Sequence, residues 1–77
     1  MVQAFMLIQT EIGRSTNVAR EIVEIAGVTA AENVSGPYDV IVRIQAETYD
    51  DLGRSVIPQI QGVHDITRTL TCPVVTH

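Results

Sequence analysis

The chain has 77 residues, a net charge of −4 at pH 7 and a hydrophobic share of 45%. This length allows one domain, residues 1–77. The single cysteine, Cys72, excludes an internal disulfide, and such cysteine usage is typical of a reducing cytoplasm. The five basic residues are scattered arginines, so we expect no direct nucleic-acid binding, and no apolar stretch approaches the roughly 20 residues that cross a bilayer.

The first half of the chain predicts a strand, a helix and a second strand. Large apolar residues over 2–10 indicate strand 1. From Ser15 to Ala26 the apolar residues recur at helical spacing, and Gly27 stops this helix at a C′-like position. Residues 28–35 then predict a less apolar strand 2.

The second half repeats this order. A mostly β-branched stretch over 38–46 predicts strand 3. Thr48 is typical of a helix N-cap, and Pro58 predicts that the helix kinks or ends near Ile57, because proline removes a helical hydrogen bond. Residues 63–72 predict strand 4.

The two halves also resemble each other in sequence. Residues Ile25–Thr29 match Ile60–His64 at an offset of 35, with Gly-Val at each helix-to-strand corner. Two strand–helix–strand units joined by a short link predict an α+β, ferredoxin-like βαββαβ fold. In that fold a four-stranded antiparallel sheet has strands 1 and 3 at its centre and both helices on one face.

The face of the sheet that the helices leave open is apolar as well. In strand 1 the large residues Phe5 and Leu7 alternate with Met6 and Ile8, so both faces carry apolar side chains. A chain this short buries only about 60% of its unfolded surface, and an exposed apolar sheet face marks an interaction surface. We therefore expect a homodimer formed through the sheets.

Few residues are suited to catalysis or metal binding. His64 and Cys72 lie at the two ends of one predicted strand, roughly 25 Å apart, which argues against thiol catalysis. Together with His77 they show no recognisable metal-ligand spacing. Asp50 and Asp51 are explained by the first turn of a helix. We expect no catalytic residue, no metal and no cofactor.

The candidate ligand-binding residues are the segment Ser35–Asp39, between predicted strands 2 and 3, and three threonines of strand 4. This segment offers a hydroxyl, backbone N–H groups, a phenol and a carboxylate, which suit a small polar ligand or an ordinary turn. Asp39 itself either caps the turn or faces an ammonium group. Thr67, Thr69 and Thr71 share one strand face, where they reflect β-propensity or contact a ligand.

These features, in this order, resemble the effector-binding domain of the Lrp/AsnC (feast/famine) transcriptional regulators, also called the RAM domain. The matching features are the opening strand, Gly27-Val28, Val34–Asp39, Asp39–Arg43, Gly62-Val63 and Thr67–Thr71. The resemblance implies a βαββαβ fold, dimers formed through the sheets, assembly up to octamers, and amino acids or related small molecules bound in clefts between dimers.

Carried onto this chain, the resemblance implies that the cleft is lined by Ser35, Gly36, Tyr38 and Asp39, with Thr67, Thr69 and Thr71 nearby. Typical members carry a helix-turn-helix before this domain, whereas here strand 1 begins at residue 2. The resemblance therefore implies a stand-alone, cytoplasmic, non-enzymatic regulatory domain that binds an effector and assembles with itself or with full-length regulators.

Two alternatives stay open from the sequence. A small dimeric α/β-barrel enzyme, of monooxygenase or isomerase type, also stacks ferredoxin-like sheets. It needs polar groups inside the barrel, for which this chain offers Arg43, Gln45 and the strand 4 threonines. The other alternative is a purely structural assembly module without a ligand.

Overall fold

The computed structural model describes residues 1–75, so His77 lies outside the described residues. Its strands and first helix are β1 (Val2–Thr10), α1 (Ser15–Ile22), β2 (Val28–Asn33), β3 (Val40–Ala46) and β4 (Ile66–Pro73). The second helix, which we call α2 as a whole, is α-helical over Tyr49–Asp51, π-helical over Leu52–Val56 and α-helical again over Ile57–Gln61.

The four strands form one antiparallel sheet in the order β2-β3-β1-β4. The predicted ferredoxin-like fold is confirmed, with β1 and β3 at the centre. In the register of the sheet, Met6 of β1 lies between Val42 of β3 and Thr71 of β4. None of the helices within residues 1–75 combines the length and the apolar character that crossing a membrane requires.

The core lies between the two helices and one face of the sheet. The inward positions of β1 and β3 alternate with outward ones, as the period of two requires. The largest fully buried side chains of this layer are Met6, Ile8, Ile22, Ile44 and Ile60. Complete burial of such a side chain stabilises the fold by about 1.5–3 kcal/mol. Because residues from both helices and both central strands share one cluster, both helices cover the same sheet face.

Helix α1 ends earlier, and strand β4 begins later, than the sequence predicts. Helix α1 ends at Ile22 rather than Ala26, since Glu24 N–H and Ile25 N–H donate to carbonyls only three residues back. Strand β4 begins at Ile66 rather than residue 63, because the chain first turns through Asp65, whose φ is +72°. In both places the connection between helix and strand uses residues that the apolar pattern assigns to the elements.

Pro58 does not end α2. The Ile57 N–H donates to the Leu52 carbonyl, five residues back, so the turn before the proline is wider than an α-helical turn. The wide turn absorbs the irregularity that a proline imposes on a helix. Of the two outcomes expected near Ile57, a kink or an end, the end is wrong, because helical structure continues to Gln61. The irregularity that the proline predicts lies in the π-helical turn just before Ile57.

Candidate functional site

The turn between β2 and β3 is tied to the end of β1. Val34 N–H donates to the Asp39 carbonyl at 2.9 Å, and Asp39 N–H donates to the Ile8 carbonyl at 2.8 Å. The Gln9 side chain adds a third bond, from Nε2 to the Pro37 carbonyl at 2.8 Å. Three hydrogen bonds thus hold an exposed turn in one conformation against the central strand.

Asp39 has a protein partner for its carboxylate. Its Oδ2 accepts the Thr10 N–H at 2.8 Å and lies 3.5 Å from Thr10 Oγ1. The backbone donor at the end of β1 is thereby satisfied by a side chain instead of by a neighbouring strand. Of the two roles that the sequence leaves open, this bonding supports the structural one.

An apolar depression of about 370 Å³ lies beside the turn, on the open face of the sheet. Leu7 and Ile41 line it from the strands, and residues 34–38 line it from the turn. Its size falls in the range of small-molecule sites. The structure therefore brings together Ser35, Gly36 and Tyr38 of the predicted set, while the Asp39 side chain points toward Thr10.

The backbone of the turn presents donors that the rest of residues 1–75 leaves unused. The N–H groups of Ser35, Gly36 and Tyr38 make no hydrogen bond within that part of the chain. Gly36 has a φ of +147°, although a Cβ there would meet no atom within 4 Å. Glycine is thus required here for its backbone conformation, and this conformation sets the direction of the free N–H groups.

Two of the three strand 4 threonines lie on the helix side of the sheet: Thr69 and Thr71 stand opposite Ile8 and Met6, which face the helices. The register shifts beside Thr67, since Gln9 pairs with Arg68 and Thr10 with Ile66, and Ile66 packs against the core instead. The expectation that all three threonines share one face is therefore wrong for Thr67. Gln61 of α2 donates from Nε2 to Thr69 Oγ1 at 3.3 Å. Within one chain the structure does not bring these threonines to the turn, so a shared site would need the threonines of a second chain.

A polar depression of about 610 Å³ opens at the end of the sheet where the turn between β2 and β3 also lies. Arg14 Nε lies 3.8 Å from Asp65 Oδ2, and Asp65 N–H donates to His64 Nδ1 at 2.9 Å. Sequence reasoning missed this cluster because Arg14 follows β1 while His64 and Asp65 precede β4, and only the pairing of those strands joins them. Residues 1–75 contain no group of three or more potential metal ligands.

The open face of the sheet carries an exposed apolar strip. Phe5 of β1 is 37% exposed, and Leu70 of the neighbouring strand β4 is 46% exposed. The Arg43 guanidinium lies 5.6 Å from the centre of the Phe5 ring and donates to Gln3 Oε1 at 2.7 Å. Cys72, the register partner of Phe5, is exposed on the same face. This strip agrees with the predicted interaction surface.

Comparison with known proteins gives one family. The model of the Lrp/AsnC ligand binding domain matches residues 3–77. A homocitrate synthase from Sulfolobus acidocaldarius is 37% identical over 57 residues, covering 74% of this chain and 12% of the enzyme. An uncharacterized HTH-type transcriptional regulator from Pyrococcus horikoshii is 30% identical over 54 residues, covering 70% of this chain and 36% of the regulator. The chain thus spans a minor part of both curated relatives.

Solved structures show the same fold. A hypothetical protein from Pyrococcus horikoshii superposes with a TM-score of 0.89 and 30% identity, over 100% of this chain and 93% of that one. A transcriptional regulator from Neisseria meningitidis, in complex with L-Met, superposes with a TM-score of 0.81 over 97% of this chain and 50% of that one. At 13% identity the second likeness shows the fold alone. The first shows that chains of nearly this length also adopt it.

Proposed function

The chain belongs to the Lrp/AsnC ligand binding domain family, and on that premise we propose that it is an oligomeric regulatory domain whose effector is an amino acid. The family and the relative named as a transcriptional regulator support a regulatory role. We assign the DNA contact to a full-length regulator that this domain assembles with, because its own net charge is −4 and its arginines are scattered.

One observation supports effector binding most directly. Ser35 and Gly36, whose N–H groups make no hydrogen bond within residues 1–75, line an apolar depression of about 370 Å³. An amino acid offers the matching groups, a carboxylate for the N–H donors and a side chain for the apolar wall. The L-Met complex of the Neisseria meningitidis regulator, on the same fold, is consistent with such a ligand.

Self-assembly is the second part of the proposal. The exposed strip with Phe5 and Leu70 at its centre is apolar, and the surface on the helix side is rich in charged residues. A two-fold contact between two such strips would bury the apolar surface of both sheets at once. Higher assembly, up to an octamer, would place the threonines of one chain beside the turn of another.

Thermal unfolding in the presence of each of the twenty amino acids tests the proposal. A bound effector at ~100 times its dissociation constant adds about 2.7 kcal/mol to the free energy of unfolding, which raises the melting temperature clearly. Light scattering on the same samples should give a mass of at least two 8.4 kDa chains. A monomeric mass, or no stabilisation by any amino acid at millimolar concentration, would contradict the proposal.

The partial match to a homocitrate synthase favours a second candidate, in which the effector-binding domain acts on an enzyme instead of on a DNA-binding protein. Size-exclusion chromatography of mixtures separates the two candidates. Co-elution with a purified helix-turn-helix regulator of the family, encoded in the same genome, supports the first. Co-elution with the homocitrate synthase of that genome supports the second.

A further inference from the structure

We propose that β4 pairs antiparallel with β4 of a second copy of this chain, across a two-fold axis at Leu70, so that two sheets join edge to edge. Such pairing adds a second surface of self-assembly to the proposed function and needs no effector. β4 is an edge strand of the sheet, so it has β1 on one side and no strand of residues 1–75 on the other.

The hydrogen bonds between β1 and β4 show how the backbone of β4 is turned. Val74 N–H donates to the Gln3 carbonyl at 2.9 Å, which continues the register of the two strands. In an antiparallel ladder, residues that exchange hydrogen bonds with the partner strand alternate with residues that do not. Cys72 and Leu70, which precede Val74 at steps of two, therefore direct their N–H and C=O groups to β1.

The residues between them direct these groups to the free edge. Thr69 and Thr71 lie at the alternate positions, and no hydrogen bond joins their backbone groups to a turn, a loop or a helix of residues 1–75. Pro73 takes the next of these positions, as a proline in an edge strand must, because it has no N–H to give to the neighbouring strand. The edge therefore presents backbone donors and acceptors in the arrangement that another strand pairs with.

β4 is the more regular edge of the sheet. The register of β2, the opposite edge, shifts between Val28 and Ala30, and β2 carries the charged residue Glu32. The register shift of β4 lies at its beginning, before Arg68, and the strand is regular from there on. Bulges and charges are devices that keep edge strands from pairing. β4 is therefore the edge that we expect to pair.

The sequence of β4 fits its own reverse about Leu70. Thr69 of one copy then stands opposite Thr71 of the other in a hydrogen-bonded pair, and threonines opposite each other are a favourable combination. Arg68 stands opposite Cys72 of the other copy, so no like charges meet. The two Leu70 side chains, each 46% exposed in the single chain, lie opposite each other and remove apolar surface from water.

The neighbouring positions of the axis fit less well. An axis at Arg68 would place two guanidinium groups opposite each other, which is destabilising. An axis at Thr71 would place Pro73, which has no N–H, opposite Thr69 and remove a hydrogen bond on each side. An axis at Thr69 would place Leu70 opposite Arg68 and lose the apolar contact. The axis at Leu70 has none of these defects.

A proline at an outward position tests the pairing. Thr71→Pro removes an N–H that points away from β1 and leaves the bonds between β1 and β4 in place. We expect light scattering to give half the mass of the wild-type assembly, because the Thr71 N–H of each copy donates across the axis. Thr71→Val, which removes the hydroxyl and keeps the N–H, should retain the wild-type mass. Circular dichroism checks that both variants are folded.

A disulfide between two different variants tests the register and does not require the proline variant to fold. Thr69→Cys and Thr71→Cys are each made together with Cys72→Ser, mixed, oxidised and run on a non-reducing gel. Opposite residues of a hydrogen-bonded pair have Cα atoms about 5.5 Å apart, which a disulfide spans. We expect a covalent dimer in the mixture and none with either variant alone, because identical positions lie on a diagonal of about 7–8 Å. Both threonines lie on the helix side, so contact between two open faces cannot form this bond.

The outcomes separate this inference from the proposed function. Unchanged mass of a folded Thr71→Pro variant would overturn the inference. So would the absence of the mixed disulfide, even if the proline variant dissociates, because the edge would then pair with a strand other than β4. A monomeric wild-type protein would overturn both the edge pairing and the proposed self-assembly. If both tests succeed but no amino acid stabilises the protein, the edge pairing stands and effector binding fails.

Discussion

The two helix-to-strand corners share a sequence pattern but differ in what they require of their glycine. Gly27 has a φ of +98°, and a Cβ there would lie 2.7 Å from Val56 Cγ2 and 3.1 Å from the Gln45 carbonyl. Gly62 has a φ of −82°, and a Cβ there would come no closer than 3.4 Å, to the Pro58 carbonyl. Of the two copies of the Gly-Val pair, the first thus needs its glycine, whereas the second tolerates a replacement.

The positive φ of the second corner falls on a later residue. Asp65 has a φ of +72°, and its carbonyl accepts the Glu11 N–H at 2.9 Å. Aspartate tolerates this conformation better than most residues, because its short polar side chain bonds locally. The two corners also differ in their surroundings. Val56 of α2 covers the corner at Gly27, whereas the corner at Gly62 leads to Asp65 and to the polar depression that Arg14 and His64 line.

Alanine at each corner glycine gives the largest expected difference between the halves. Gly27→Ala should destabilise the protein by about 3 kcal/mol, because it combines a positive φ with overpacking against Val56. Gly62→Ala should change the free energy of unfolding by no more than about 1 kcal/mol, in the stabilising direction. Urea denaturation measures both, and equal losses would contradict the distinction.

Asp65 provides the next test. Asp65→Ala should cost about 1 kcal/mol more than Asp65→Gly, because alanine disfavours the left-handed conformation that glycine adopts freely. Both variants lose the same partly exposed contacts to Arg14 and His64, so these cancel in the comparison. Thermal unfolding of the two variants side by side gives the difference. If Asp65→Ala is the more stable, the backbone at this corner is not strained.

The helix starts give the smallest expected effect. Thr48 Oγ1 accepts the Asp51 N–H at 3.1 Å at the start of α2, whereas the Arg14 side chain makes no capping bond at the start of α1. Thr48→Ala should therefore cost about 1 kcal/mol, and Thr48→Ser should restore most of it. Arg14→Ala, the matched change in the other half, should cost less than about 0.5 kcal/mol. Chemical denaturation of the three variants checks this order.

Much of the fold could be predicted from local patterns. Strand β1 covers Val2–Thr10, the range that its run of large residues predicts, and the more apolar strands are the central pair. The C-terminal end of α1 and the beginning of β4 could not be predicted, because apolar residues such as Ile25 and Val63 pack against the core from connecting segments. Apolar residues indicate burial, and residues of an irregular segment can be buried just as those of a helix or strand are.

The candidate site divides in the same way. The sequence identified the turn with Ser35, Gly36 and Tyr38, because glycine and proline mark a turn whatever surrounds it. It could not show that Asp39 is bonded to Thr10, a residue 29 positions away. Nor could it place the threonines, since alternation shows neither which face the helices cover nor that a register shift separates Thr67 from Thr69 and Thr71.

The sequence by itself therefore determined the elements, their order and the glycine-marked corners, because strand alternation, helical period and turn chemistry act between near neighbours. Only the tertiary structure decided which of the two corner glycines is obligatory. Gly27 and Gly62 have similar neighbours in sequence, but only Gly27 lies against Val56 and Gln45. Contacts between residues distant in the chain depend on strand register and helix packing, and these are set when the whole core forms.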